Sequence, residues 1–198
     1  MQKLFWTDVR ALNAHQQTAL THLTAERQDR VARLRDERDR LRVMAAGLLL
    51  RYAFGARAEE IVKTETGKPC LPNGLQFSIS HGGDLAVLAV SDQSVGVDVE
   101  PCTREASPAV LQKVLTENER QWLKEENGAF ARLWTRKESV MKADGRGLAL
   151  APASFEVLEK TVLCYTLTDF EICGHFVAIA AENPKPFAVQ EVKTEQLL

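Results

Sequence analysis

Three short stretches of this chain combine residue types that suit work on a phosphate. The first is Val95-Gly96-Val97-Asp98-Val99-Glu100. Side chains alternate along a strand, so Asp98 and Glu100 share one face while Val97 and Val99 share the other. Two neighbouring carboxylates repel unless a cation stands between them. Mg2+ meets that need, because it prefers one or two carboxylates completed by substrate phosphates. A solvated strand edge has the same D-x-E look. The second stretch runs from Trp134 through Lys137, Glu138 and Lys142. On a helix, Trp134, Glu138 and Lys142 lie one turn apart on a common stripe. Burial beside an apolar ring would raise the basicity of Glu138, and Lys142 could neutralise it or join it at an anion. An exposed Glu–Lys pair worth about 0.3–0.5 kcal/mol is the plainer alternative. The third comprises Gly67-Lys68-Pro69 and Phe77-Ser78-Ile79-Ser80-His81-Gly82-Gly83. A strand ending in Ser80-His81 and paired glycines exposes backbone N–H groups and an imidazole, a nest suited to phosphate, although an ordinary hairpin turn also fits.

These residues need elements to carry them. Leu4-Phe5-Trp6 reads as a short strand, and residues 24–54 as one long helix with Leu34, Leu41, Met44, Leu48 and Tyr52 at helical spacing and Gly55 as its stop. Turns are expected at 67–69 and 72–74, followed by strands at 75–80, 85–90 and 95–100. Ser107-Pro108 and Thr116-Glu117-Asn118-Glu119 read as helix starts, the second a capping box. A helix follows over about 129–143, then strands at 155–158, 162–167, 175–181 and 187–192. The 85–90 pattern recurs at 176–181 and the 95–100 pattern at 187–192. The expected fold is therefore α+β, with two similar lobes, each an antiparallel sheet packed on helices. The lobes are expected at 1–101 and 102–198, and only the first copy of the repeat keeps its acids.

Composition narrows the function. Twenty-five basic against 27 acidic residues give a net charge of −2, so nothing global attracts nucleic acid or an anionic membrane. Seven arginines fall between Arg27 and Arg42, but Asp29, Asp36, Glu37 and Asp39 interleave with them, as on a salt-bridged solvent face. The longest apolar run, Val43 to Leu50, is too short to span a bilayer, and the first residues lack a signal-peptide core. Cys70, Cys102, Cys164 and Cys173 match no metal-ligand spacing, which reads as reduced thiols and a cytoplasmic protein.

Taken together, the motifs resemble the 4′-phosphopantetheinyl transferases, most closely the larger, two-lobed Sfp-like type. That family shows G-K-P, F-N-x-S-H, G-x-D-x-E and W-x-x-K-E-x-x-x-K in this order, here spread over residues 67–142, with a looser match upstream through Arg42 and Gly47 to Arg51. The resemblance implies transfer of the 4′-phosphopantetheine arm of coenzyme A to a serine of an acyl or peptidyl carrier protein, with release of adenosine 3′,5′-bisphosphate. It implies Mg2+ held by Asp98, Glu100 and Glu138, with Glu138 as general base. It implies phosphate contacts from His81 and Lys142, a nucleotide end lined by Lys68 and Ser80, and Arg42 at the 3′-phosphate; Lys137 has no clear role. Because two lobes in one chain would enclose the site, a monomer is implied. This chain departs from the pattern at Ser78, where Asn is common, and at Gly82-Gly83, where Ser-Gly is usual. It also has arginines upstream where the family tends to have lysines. A coenzyme A- or carrier-binding module without catalysis is the rival reading.

Overall fold

A computed structural model describes residues 2–72, 74–125, 129–182 and 185–198; the expected turn at 72–74 includes Asn73, which lies outside the described residues. The chain opens with β1 (Lys3–Asp8), where a strand was expected. A 3-10 turn and α1 (Gln16–Thr21) lead to α2 (Ala25–Arg33) and α3 (Glu37–Phe54). The single helix expected over 24–54 is thus two helices. Leu34 turns extended and ends the first run, and the Asp36 carboxylate accepts the Asp39 N–H at 3.0 Å as the N-cap of the second. Gly55 ends α3 with φ 58°, a conformation open to glycine.

A small hairpin, β2 (Val62–Lys63) and β3 (Pro69–Cys70), precedes β4 (Gln76–Gly82), β5 (Leu85–Ser91) and β6 (Val95–Pro101), the three strands expected here. In α4 (Pro108–Val114) Ser107 is the cap and proline opens the first turn. Next, α5 (Glu117–Glu125) starts with the expected box: Glu119 Oε2 accepts from Thr116 N at 2.8 Å, and Thr116 Oγ1 accepts from Glu119 N at 3.3 Å. The helix α6 (Phe130–Asp144) ends at left-handed Gly145. The remaining elements are β7 (Thr161–Val162), β8 (Tyr165–Ile172), β9 (His175–Ala181), β10 (Ala188–Glu191) and α7 (Thr194–Leu197). No strand forms at 155–158; Phe155 and Val157 are buried there without a ladder, and Val157 N donates to the Glu119 carboxylate at 2.8 Å instead. The strand expected over 162–167 is cut by a turn in which Leu163 takes φ 56°, so that Val162 pairs with Tyr165.

Two four-stranded sheets result, ordered β10-β1-β5-β4 and β6-β9-β8-β7. All their pairings are antiparallel except β1 with β10. Leu41, Met44 and Leu48 of α3 pack with Phe5, Phe77 and Leu88 of the first sheet. Leu133, Val140 and Met141 of α6 pack with Tyr165, Leu167 and Ala180 of the second. A third apolar cluster joins the sheets through Leu4, Val87, Val97, Val99 and Ile179. At this junction Ser78 Oγ accepts from Val97 N at 3.0 Å, so the serine found in place of the common Asn ties β4 to β6.

Sheet membership crosses the expected division at 101/102 in two places. Strand β6 belongs to the second sheet, and β10, from the end of the chain, belongs to the first. The repeat also has a different register. Val90 pairs with Lys3, whereas its counterpart Ala181 pairs with Val95. Hence β1 corresponds to β6, setting Trp6 against Asp98 and Asp8 against Glu100; β10 has no counterpart in the second sheet.

Candidate functional site

Gly96 brings the acids of β6 to the helix. A Cβ at this position would lie 1.9 Å from the Ser139 carbonyl oxygen and 2.4 Å from Ala143 N, so only glycine allows β6 to press against the α6 backbone. Two residues on, by strand alternation, Asp98 faces the same helix. Asp98 Oδ1 accepts from Lys142 Nζ at 2.7 Å and from Ser80 Oγ at 2.7 Å, while Lys142 Nζ also donates to Ser80 Oγ at 2.8 Å. This joins β4, β6 and α6 at one point. Asp98 is 5% exposed, and its Oδ2 is buried without a hydrogen-bond partner.

Glu138 stands one turn before Lys142. Burial pushes its carboxyl above the ordinary range, the charge of Asp98 adds to the rise, and Lys142 opposes it. Burial was the expected cause, but Trp134 is otherwise engaged: it stacks on Phe130 at 6.1 Å and receives Arg104 at 5.8 Å from its centroid. The adjacent Lys137 is wholly buried in an ion pair with Glu119 at 2.8 Å, and it donates to the carbonyls of Pro152 and Phe155. Its place is structural: it ties α6 to α5 and to the irregular 152–157 segment.

A cavity of about 610 Å³ is lined by Asp98, Glu138 and Lys142 together with Ser80, His81, Lys68, Arg27, Arg30 and Lys63. Burial, first, and then the nearby positive charges of Arg30 and Lys142 hold the His81 pKa below its usual value, so its neutral ring offers a hydrogen bond rather than a charge. Lys68 Nζ donates to the Ala143 carbonyl at 2.9 Å in the last turn of α6, and burial lowers its pKa. Ser94 Oγ donates to the same carbonyl at 2.8 Å.

Sequence reasoning set Arg42 at the phosphate end, but Arg42 does not line this cavity. Its Nε donates to the Gly83 carbonyl at 2.8 Å and its Nη1 to Asp39 at 2.8 Å. Arg27 and Arg30 of α2 line it instead. Gly47 makes room for Arg27: a Cβ there would lie 2.6 Å from Leu23 Cδ2 and 2.9 Å from Arg27 Cδ. The usable signal was the i,i+3 spacing of Arg27 and Arg30 on a helix that ends before Asp36.

The donor chemistry fits a hard divalent cation in part. Asp98 and Glu138 reach the cavity, Asp98 Oδ2 lacks a partner, and like charge crowds Glu138. Glu100 does not line the cavity and is held in an ion pair by Arg104. Among the described residues no group of three or more His, Cys, Asp or Glu is gathered closely enough to hold a metal, so the three-acid set expected from the sequence is not assembled in this arrangement. No helix among the described residues is long and apolar enough to cross a membrane, and all four cysteines are free.

Comparison with known proteins accounts for both sheets. Residues 94–189 match the family model of the 4′-phosphopantetheinyl transferase superfamily, and residues 9–93 match that of a 4′-phosphopantetheinyl transferase N-terminal region. The boundary falls just before β6, where sheet membership also changes. The chain is 29% identical to the 4′-phosphopantetheinyl transferase ffp of Bacillus subtilis, over 90% of this chain and 91% of that one. It is 27% identical, with the same coverage, to the 4′-phosphopantetheinyl transferase Sfp of Bacillus subtilis strain 168. To the 4′-phosphopantetheinyl transferase gsp of Aneurinibacillus migulanus it is 32% identical, over 68% of this chain and 61% of that one. With two adjoining family models and relatives aligned along nine-tenths of its length, the chain belongs to the 4′-phosphopantetheinyl transferase superfamily.

Proposed function

We propose that this protein transfers the 4′-phosphopantetheine group of coenzyme A to the serine hydroxyl of an acyl or peptidyl carrier protein. The observation that carries this reading is the cavity itself, where two acids and Lys142 share one space with Arg27, Arg30, Lys63 and Lys68. Such a lining suits a ligand with a pyrophosphate and a further phosphate, since cations take the phosphates while carboxylates serve the reacting end.

In the reaction the serine oxygen forms a bond to the β-phosphorus, and the bond from that phosphorus to the bridging oxygen breaks. Adenosine 3′,5′-bisphosphate leaves. Glu138 takes the serine proton, and its raised pKa makes it a better acceptor than an ordinary carboxylate. Lys142 is held by Asp98 and Ser80 where its charge favours the phosphate that gains charge. Lys68, His81, Arg27 and Arg30 bind and orient the nucleotide end, and Ser80 keeps Lys142 in place. Asp98 and Glu138, with Glu100 once it is freed from Arg104, would hold a Mg2+ ion, which would supply neutralisation of the pyrophosphate. One chain provides the whole cavity, which supports a monomer, and free thiols are in keeping with a cytoplasmic setting.

The test is incubation with coenzyme A, Mg2+ and an apo-carrier protein, followed by mass spectrometry. We expect the carrier to gain one phosphopantetheine with the intact enzyme. With Glu138→Ala we expect turnover to fall by about 10²–10⁴-fold, the usual worth of a general base. Near-normal transfer by that variant would remove the assigned role of Glu138. Failure of the intact chain on several apo-carriers would remove the activity.

A further inference from the structure

Glu100, the acid that does not line the cavity, is held by a cation that the reaction above leaves unused. Arg104 lies in the turn after β6, where its N–H bonds back to the Pro101 carbonyl at 2.9 Å. Its guanidinium donates through Nη1 to Glu100 Oε1. It also stands over the Trp134 ring, 5.8 Å from the centroid, and Phe130 stacks on that ring at 6.1 Å. The charges of Asp98 and Glu138, besides that of Glu100, act on it.

The two partners of this ion pair differ in access. The Glu100 side chain is 14% exposed and the Arg104 side chain 41%, so the carboxylate is the more enclosed of the two and the guanidinium the more open. An ion pair with one exposed partner shifts an equilibrium only about twofold to fivefold. A divalent cation brings twice the charge in a compact sphere, and it meets an Asp98 oxygen that has no partner. Once displaced, Arg104 need not return to water, because the Trp134 face already holds part of it.

We propose that Arg104 is a displaceable counter-ion, occupying Glu100 until a divalent cation takes that carboxylate and then resting on Trp134 alone. The proposal builds on the metal reading given above for Asp98, Glu100 and Glu138. It accounts for an arrangement in which Asp98 has an unused oxygen, Glu100 is satisfied by Arg104, and the three acids are not gathered.

Mn2+ serves as the probe, its binding to the full chain followed by electron paramagnetic resonance without coenzyme A. Arg104→Gln should lower the Kd about twofold to fivefold, the shift set by losing one exposed ion pair. Arg104→Lys, which keeps the charge, should fall between that variant and the parent. With Trp6 and Trp122 changed to Phe, Trp134 is the remaining tryptophan. Mg2+ should then change its emission when Arg104 is present, and not in Arg104→Gln. Equal or weaker Mn2+ binding by Arg104→Gln, with binding abolished by Asp98→Asn, would overturn the displacement and leave the metal site standing. Mn2+ binding that ignores Asp98→Asn would overturn the metal reading and the proposal with it.

Discussion

Glu138 carries a cost that its chemistry explains. Its folded-state pKa lies above the ordinary carboxylate value, mainly because burial disfavours the charge and Asp98 adds repulsion. Between the unfolded and folded pKa values the native state therefore binds more protons than the unfolded state. Stability falls as pH rises through that window, and the loss is complete above the folded pKa. We expect Glu138→Gln to melt at a higher temperature than the parent at neutral pH, and at the same temperature below the ordinary glutamate range. Thermal melts at both pH values check this; equal melting temperatures at neutral pH would count against a destabilising charge. Asp98, Glu138 and Lys142 were legible in the sequence because regular elements turn spacing into shared faces. Arg42 and Arg104 were not, because the direction of a long side chain is set by distant partners: the Gly83 carbonyl for one, Glu100 and Trp134 for the other.

At the scale of elements, the site depends on how closely a strand meets a helix. Gly96→Ala places a methyl group against backbone atoms of α6, which have no rotamer with which to yield. We expect a loss of about 2–3 kcal/mol in denaturant unfolding. Transfer should fall further than stability alone accounts for, since α6 moves Glu138 and Lys142 with it. A variant with normal melting and normal turnover would show that the contact is not needed. The orientation of α6 also rests on the buried Lys137–Glu119 pair. Lys137→Met leaves a buried, uncompensated carboxylate and should cost about 3–5 kcal/mol; adding Glu119→Gln should recover part of it. An additive double mutant would rule out that coupling. Strands with alternating or wholly apolar patterns were readable in advance, and so were the glycine and Ser-Pro helix ends. The irregular 155–158 segment was not. Its apolar residues read as a strand, but its backbone bond goes to a glutamate side chain from α5, a partner that no local pattern reveals.

For the molecule as a whole, the duplication was visible in the sequence but placed one strand late, because β10 and β6 share an apolar pattern while belonging to different sheets. The correct register explains why there is one site. Opposite Asp98 and Glu100 stand Trp6 and Asp8, and counting back from Gly55 and Gly145 sets buried Leu48 opposite Glu138. The first half offers no second set of three acids; its corresponding helix position went to the core. The last strand fastens the halves together: β10 lies parallel to β1, and the tail buries Phe187, Val192 and Leu197, each 8% exposed or less. Burying such side chains contributes ~1.5–3 kcal/mol each, a sum that matches much of the stability of an ordinary domain. Removal of residues 185–198 should therefore loosen the first sheet while the second keeps all four strands. Trp6 reports on the first sheet, and Trp122 and Trp134 pack with the second. With single-tryptophan versions, the intact chain should lose both signals at one denaturant concentration. In the truncated chain, Trp6 should become exposed at a lower concentration than Trp122 or Trp134. A coincident, unshifted transition after truncation would mean that β10 merely borders the first sheet and that the half preceding β6 stands without it.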